Sequence, residues 1–229
     1  MAMKYTHLLF DADNTLFDFN SSSARAFAKF IDHLNLDEDK DYYAIYQIGN
    51  HQVWNKFEAG TMDTMTLKWK RFELFFKALN IQSDPHEANS LYLKFLVEFA
   101  SLIPGARKLL EDLKSKGYRL SIITNGLKEV QKPRINKIEI AHFFESIIVS
   151  DEIDVAKPNP SFFQVTADSI GHPPKEKVLV IGDSLSSDIT GGNNYGYDTC
   201  WYNPGNKKNN TSAKPTYVID ELSKLMDII

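Results

Sequence analysis

Hydrophobic residues recur along this chain with two spacings, which divide it into segments of different structure. Short runs of consecutive hydrophobic residues predict buried strands, whereas hydrophobic residues three and four positions apart predict amphipathic helices. The first run covers residues 7–10, and helical spacing begins soon after it. Buried strands are predicted at residues 7–10, 119–124, 146–150, 177–181, 198–202 and 217–219.

The segment after the first strand is predicted to be almost entirely helical. Its predicted helices are residues 21–36, 40–59, 63–79 and 85–100. Beyond Pro104 and Gly105, helices alternate with strands, and residues 203–215 form a polar loop. The helices predicted there are residues 106–116, 127–139, 161–170, 185–195 and a last helix after strand 217–219. We expect Pro133 to kink its helix or delay its start, because proline cannot donate a backbone hydrogen bond.

Alternating strands and helices predict an α/β fold with a doubly wound parallel sheet, because parallel strands need helical crossovers. The first strand belongs to this sheet, although its partners come about a hundred residues later. We therefore expect a core of residues 1–16 and 101–229. Residues 17–100 are then an all-helical cap, inserted after the first strand and lying over the carboxyl edge of the sheet.

Composition and charge narrow the class of protein. The 229 residues are 43% hydrophobic and 24% charged, and a net charge of -4 gives no general attraction to nucleic acid or anionic membranes. No hydrophobic run approaches the ~20 residues that span a bilayer, and the first residues lack the long hydrophobic segment typical of a secretory signal. The single cysteine, Cys200, cannot form an internal disulfide. We expect a cytoplasmic protein, a monomer or a weak homo-oligomer.

Polar residues follow several of the predicted strands, at the carboxyl ends where ligands bind in an open α/β sheet. Because the carboxyl ends of parallel strands lie at one edge of a sheet, side chains at those ends should converge. The residues in question are Asp11 and Asp13, Thr124 and Asn125, Lys157, and Asp183 with Asp188.

Converging carboxylates indicate a cation. At ~4 Å and an effective dielectric constant near 20, each pair of like charges costs about 4 kcal/mol. Oxygen ligands without histidine or cysteine favour a hard ion, and Mg²⁺ fits best. Within such a site Asp11 is interpreted as a nucleophile and Asp13 as its acid/base partner. Aspartate nucleophiles form phosphoryl-aspartate intermediates. Lys157 would then supply a positive charge for the nucleophile or a phosphate oxygen, and the Thr124 hydroxyl with nearby backbone N–H groups would hold the remaining oxygens.

Four motifs, in order along the chain, resemble those of the haloacid dehalogenase (HAD) superfamily. They are Asp-Ala-Asp-Asn-Thr at 11–15, Ile-Thr-Asn-Gly at 123–126, Ala-Lys-Pro-Asn-Pro at 156–160, and Gly182-Asp183 followed by Asp188. The resemblance implies an HAD-like Rossmannoid core with a helical cap after the first strand. It also implies a Mg²⁺-dependent phosphatase that works through a phosphoaspartate.

The resemblance also implies a role for each motif residue. The implied catalytic residues are Asp11, Asp13 and Lys157. The implied phosphate-binding residues are Thr124, Asn125 and Lys157. The implied metal ligands are Asp11, Asp13 through its carbonyl oxygen, Asp183, and Asp188, which supports the metal shell through water.

Residues around the motifs are similar to the YjjG-type pyrimidine 5′-nucleotidases. The similar segments are 11–19, 123–126, 155–159 and 187–201. This similarity implies a small phosphate monoester as substrate, namely a pyrimidine nucleoside monophosphate, with noncanonical ones included. Three alternatives stay open: a phosphatase or phosphomutase for a sugar phosphate or another small metabolite, a dehalogenase, and a non-catalytic phosphate-binding module. Asp13 argues against a dehalogenase, which typically lacks the second aspartate.

Overall fold

A computed structural model describes residues 3–36 and 40–229 of the chain. The chain divides into two compact units, one formed by Met1–Asp18 with Ser101–Ile229 and the other by Phe19–Ala100. Residues 1 and 2 of the predicted core and 37–39 of the predicted cap lie outside the described residues. The role of the helical unit as a cap over the sheet edge stays a prediction.

The first unit is built on a parallel sheet, which confirms the predicted α/β fold class. Its six strands lie in the order β3-β2-β1-β4-β5-β6, and every neighbouring pair is parallel. The strands are β1 His7–Phe10, β2 Arg119–Thr124, β3 Phe144–Val149, β4 Val178–Gly182, β5 Asp198–Tyr202 and β6 Tyr217–Ile219. β1 pairs with β2 on one side and β4 on the other, so Phe10 lies beside both Ile122 and Ile181.

Helices flank this sheet and bury both of its faces. The helices of the unit are α5 Ala106–Ser115, α6 Lys128–Lys137, α7 Ser150–Ile153, α8 Pro160–Ser169 and α9 Thr190–Tyr195, numbered after the four helices of the second unit. Leu8 and Phe10 belong to one hydrophobic cluster and Leu9 to another, because successive side chains of a strand point to opposite faces. Burial on both faces explains why β1 is hydrophobic at consecutive positions.

The structure corrects two predicted helices. The segment predicted as one helix over 185–195 begins with a π-helical turn at Leu185–Ile189, in which the Leu185 carbonyl accepts from the backbone N–H of Thr190. The predicted last helix is a 3₁₀ segment at Leu222–Asp227. Its buried Leu222 and Leu225 are three residues apart, which matches the three residues per turn of a 3₁₀ helix.

Pro133 is the sixth residue of α6 and lies inside the helix rather than at its start. The helix begins at Lys128, one residue later than predicted. No helix among residues 3–36 and 40–229 is both long and hydrophobic enough to cross a membrane.

In its described residues, 19–36 and 40–100, the second unit has four helices around an aromatic core. They are α1 Phe19–Leu34, α2 Tyr42–Glu58, α3 Thr64–Leu79 and α4 Pro85–Glu98. Aspartates cap three of these helices by accepting a hydrogen bond from a backbone N–H of the first turn, and they are Asp41, Asp63 and Asp84. The ring of Phe27 lies 4.6 Å from that of Tyr46 and 5.3 Å from that of Phe75. Packing among these buried rings stabilises the unit.

The burial of Cys200 in β5 can be tested by thiol labelling. Burial raises the pKa of its thiol to about 12, so the reactive thiolate is scarce at neutral pH. We expect the folded protein to react with dithionitrobenzoate more than about 100-fold slower than protein unfolded in guanidinium, because labelling requires the sheet to open. Rapid stoichiometric labelling of the folded protein would contradict the burial of Cys200 in β5.

Candidate active site

The carboxyl ends of β1, β2 and β4 bring the predicted site residues to one edge of the sheet. Asp11 follows β1, and its backbone N–H donates to the carbonyl oxygen of Ile181 in β4 at 2.8 Å. Thr124 is the last residue of β2, and Asp183 follows Gly182, the last residue of β4. The parallel register of the strands therefore fixes the backbone positions of these residues, independently of their side-chain contacts.

The side chain of Lys157 lies at the centre of this group. Its Nζ donates to Asp11 Oδ1 at 2.7 Å, to Asp188 Oδ1 at 2.7 Å and to the carbonyl oxygen of Ile123 at 2.9 Å. An ammonium has three N–H donors, and all three are used here. Burial alone lowers the pKa of Lys157, but Asp11 and Asp188 outweigh it and raise the pKa above its ordinary value. Lys157 is therefore a fixed positive charge.

Asn125 holds the backbone of Lys157 in place. Its Nδ2 donates to the carbonyl oxygen of Lys157 at 2.9 Å, and its Oδ1 accepts from the Lys157 N–H at 2.8 Å. Sequence reasoning did not find this contact, and a role for Asn125 in phosphate binding stays a prediction. The Thr124 hydroxyl is buried and accepts from the backbone N–H of Gly126 at 3.1 Å.

The π-helical turn positions Asp188. Asp188 Oδ2 accepts from the backbone N–H of Ser184 at 3.0 Å, and the side chain is fully buried. Gly182 leaves the necessary space, because a Cβ there would lie 2.2 Å from Asp188 Oδ2. Trp201 Nε1 donates to the carbonyl oxygen of Asp183 at 2.9 Å, which fixes the backbone at that residue.

Three carboxylates converge at this edge. Oxygen atoms of Asp11, Asp183 and Asp188 lie within 4.8 Å of one another. Burial raises the pKa of Asp11 to about 7, and the opposing charge of Lys157 only partly offsets it. Burial likewise raises the pKa of Asp183 to about 8, and the charge of Asp11 adds to the rise. The site thus holds more negative charge than its protein surroundings balance.

The excess of negative charge at this edge of the sheet suits a divalent cation. Three carboxylates carry three negative charges and Lys157 carries one positive charge, which leaves two negative charges when all are ionised. The donors are oxygens, and hard divalent cations prefer oxygen ligands. The acidic cluster is therefore suited to hold a metal ion.

Asp13 is held by two side chains of α6 that sequence reasoning missed. Arg134 Nη2 lies 2.6 Å from Asp13 Oδ1, and Gln131 Nε2 donates to Asp13 Oδ2 at 2.8 Å. The signal in the sequence is a pair of polar residues three apart on the helix after Thr124, since such residues share one helix face.

The chain is similar to known proteins in its sequence and in its fold. Residues 5–196 match the family model described as a haloacid dehalogenase-like hydrolase. The chain is 31% identical to the pyrimidine 5′-nucleotidase YjjG of Escherichia coli (strain K12), over 99% of each chain. It is 32% identical to the pyrimidine 5′-nucleotidase PynA of Streptococcus pneumoniae, over 99% of this chain and 96% of that protein. A crystal structure of the HAD-hydrolase YfnB from Bacillus subtilis, bound to magnesium, matches with a TM-score of 0.91 and 34% identity over 99% of each chain.

The raised pKa of Asp183 predicts a stability gain when the residue is neutralised. The carboxyl group of Asp183 has a pKa near 3.9 in the unfolded chain and about 8 in the folded protein. At pH values between these two, the folded state binds more protons than the unfolded state, so the free energy of unfolding falls as the pH rises. In a metal chelator at pH 8.5, we expect Asp183→Asn to raise the free energy of unfolding in urea by on the order of 1–3 kcal/mol. The gain should shrink as the pH falls toward 5.

Asp227→Asn is the matched control, because Asp227 is exposed in the last 3₁₀ segment. We expect no comparable gain from that variant. An Asp183→Asn protein that is less stable than the parent at pH 8.5 would contradict the charge excess.

Proposed function

This chain is a phosphatase that belongs to the haloacid dehalogenase-like hydrolase family, and on that premise we propose that it uses Mg²⁺ and a phosphoaspartate at Asp11. The single observation that carries the proposal is the convergence of Asp11, Asp183 and Asp188 around the buried Lys157. Two uncompensated negative charges beside a potential nucleophile call for a divalent cation. The magnesium-bound crystal structure of YfnB supports the same choice.

In the proposed mechanism, Asp11 is the nucleophile. Its carboxylate attacks the phosphorus atom, and the bond between phosphorus and the ester oxygen breaks. Asp13 gives its proton to that oxygen, so the alcohol leaves neutral. Asp13 then takes a proton from water, which attacks the phosphoaspartate and releases inorganic phosphate and the free Asp11 carboxylate. Mg²⁺, when bound, neutralises charge on the phosphoryl oxygens.

Other residues prepare the site for these steps. Asp11, Asp183 and Asp188 would hold the metal ion, with Asp13 contributing its carbonyl oxygen. Lys157 limits repulsion between Asp11 and Asp188, and Asn125 fixes the Lys157 backbone. The Thr124 hydroxyl lies at the same edge of the sheet, at the end of β2, and would bind a phosphoryl oxygen.

We infer that the substrate is a pyrimidine nucleoside 5′-monophosphate. This inference rests on similarity to two pyrimidine 5′-nucleotidases along nearly the whole chain. The helical unit, residues Phe19–Ala100, is proposed to act as the cap that selects the leaving group. We propose that the enzyme acts in the cytoplasm, as a monomer or weak homo-oligomer.

Removal of metal tests the mechanism. We expect a chelator to abolish hydrolysis of p-nitrophenyl phosphate and excess MgCl₂ to restore it. Asp11→Asn should reduce kcat at least ~10³-fold, because the variant has no nucleophile. Acid quenching of the parent enzyme followed by mass spectrometry should locate the phosphoryl group on Asp11.

Asp227→Asn, a change of the same kind at an exposed site, should keep parental kcat. Mg²⁺ should also raise the melting temperature of the parent protein, since it binds only the folded state. An Asp11→Asn enzyme with near-parental kcat would reject the assigned nucleophile. Absence of any metal-dependent turnover would favour a phosphate-binding module.

A substrate panel tests the nucleotide assignment separately. We expect kcat/KM for dUMP, dTMP and UMP to exceed that for purine nucleotides and triose or pentose phosphates by about tenfold or more, since discrimination by one binding pocket is typically 10–200-fold. Release of inorganic phosphate is the measurement. A preference for sugar phosphates would reject the nucleotidase assignment but keep the phosphatase, and isomerised phosphate esters without free phosphate would identify a phosphomutase.

A further inference from the structure

Both carboxylate oxygens of Asp13 are contacted by side chains of one helix. Arg134 Nη2 lies 2.6 Å from Oδ1, and Gln131 Nε2 lies 2.8 Å from Oδ2. The Asp13 side chain is 27% exposed, whereas Arg134 is 2% exposed. The carboxylate is therefore fixed from the α6 side, and its Oδ1 atom is buried.

The two contacting side chains are themselves fixed. Arg134 donates to Gln131 Oε1 from Nη2 at 2.6 Å and from Nε at 3.2 Å. Its guanidinium carbon lies 4.1 Å from the ring centroid of Phe17, which makes a cation–π contact. Gln131 is buried and bonded at both ends, to Arg134 and to Asp13. Neither side chain can turn away from Asp13 without leaving buried polar groups unpaired.

Gly126 provides the space that Gln131 occupies. A Cβ at Gly126 would lie 1.8 Å from Gln131 Nε2 and 2.7 Å from its Cδ. The backbone of Gly126 is not in the left-handed region, so its geometry alone would accept alanine. The glycine after Thr124 and Asn125 is thus needed for close approach of the Gln131 side chain.

We propose that Gln131 and Arg134 are positioning residues, which hold the Asp13 carboxyl group in the orientation that transfers a proton to the leaving oxygen. The inference rests on the proposed function, in which Asp13 is the general acid. A proton moves efficiently only when donor and acceptor lie within hydrogen-bonding reach. Rotation of the Asp13 carboxyl group would break that geometry without any change in substrate binding.

A purely structural role is the competing explanation. In that case Asp13 only neutralises the buried guanidinium, and loss of the contacts lowers stability and all activities together. The two explanations predict different effects on substrates that differ in their leaving group. An alkoxide needs a proton as it leaves, whereas p-nitrophenolate is stable enough to leave without one.

Gln131→Glu is the main test. The variant keeps the shape of residue 131 and an acceptor for Arg134, but it replaces the N–H donor to Asp13 by an oxygen that repels it. We expect kcat/KM for an alkyl phosphate to fall by about 10- to 100-fold, while that for p-nitrophenyl phosphate changes less than about threefold. The second-order constant is the right measure because it reports only the steps up to release of the alcohol.

Gln164→Glu is the matched control. Gln164 Nε2 donates to Asp168 Oδ1 at 2.8 Å on α8, which reproduces the broken contact at an exposed site. We expect this variant to keep the parental ratio of the two second-order constants. Melting temperatures of both variants verify that each is folded.

Gly126→Ala is a second way to disturb the contact between Gln131 and Asp13. Its methyl group should displace Gln131 and shift the ratio in the same direction as Gln131→Glu. Gln131→Ala removes the atoms that the methyl group would meet. In that background, we expect Gly126→Ala to cause no further shift.

Asp13→Asn is measured alongside to separate the two proposals. If Asp13→Asn shifts the ratio but Gln131→Glu and Gly126→Ala leave it at the parental value, the positioning role is wrong and the phosphatase mechanism stands. If Asp13→Asn itself leaves the ratio unchanged, Asp13 is not the acid, and the inference falls with that part of the mechanism.

Discussion

The buried ammonium of Lys157 is the interaction on which the candidate site depends. Its three N–H donors join groups that are distant in the chain: Asp11 after β1, Ile123 within β2 and Asp188 in the π-helical turn after β4. A buried charge is costly unless it is paired and hydrogen-bonded, so these segments are constrained to meet at one point. The same contacts orient the Asp11 carboxylate, which the nucleophilic role proposed for it requires.

This arrangement favours function at the expense of stability. Burial raises the pKa values of Asp11 and Asp183, and the single ammonium of Lys157 only partly offsets that rise. A protein selected for stability alone would replace one of these acids by a neutral residue. Their presence together is explained by the proposed function, in which the surplus negative charge binds a divalent cation.

The fold and the meeting of the principal acids were predictable from the sequence, because both follow from periodicity and topology. Consecutive hydrophobic positions in β1 and β4 indicate strands buried on both faces, and parallel pairing then takes Asp11 and Asp183 to one edge. The π-helical turn was not predictable, since its extra residue leaves no mark in a helical hydrophobic pattern. The contacts of Gln131 and Arg134 also depend on the rotation of α6 about its axis, which residue spacing alone does not determine.

Two glycines of the motifs are required by close packing rather than by backbone conformation. Gly126 and Gly182 both have ordinary negative-φ backbones, so conformational freedom does not explain them. In each case a polar side chain fills the volume that a Cβ would take, Gln131 at Gly126 and Asp188 at Gly182. Each glycine thus admits a polar side chain to the edge where the acids meet. The absence of a side chain at these positions is therefore part of the site, because it determines where neighbouring polar groups can lie.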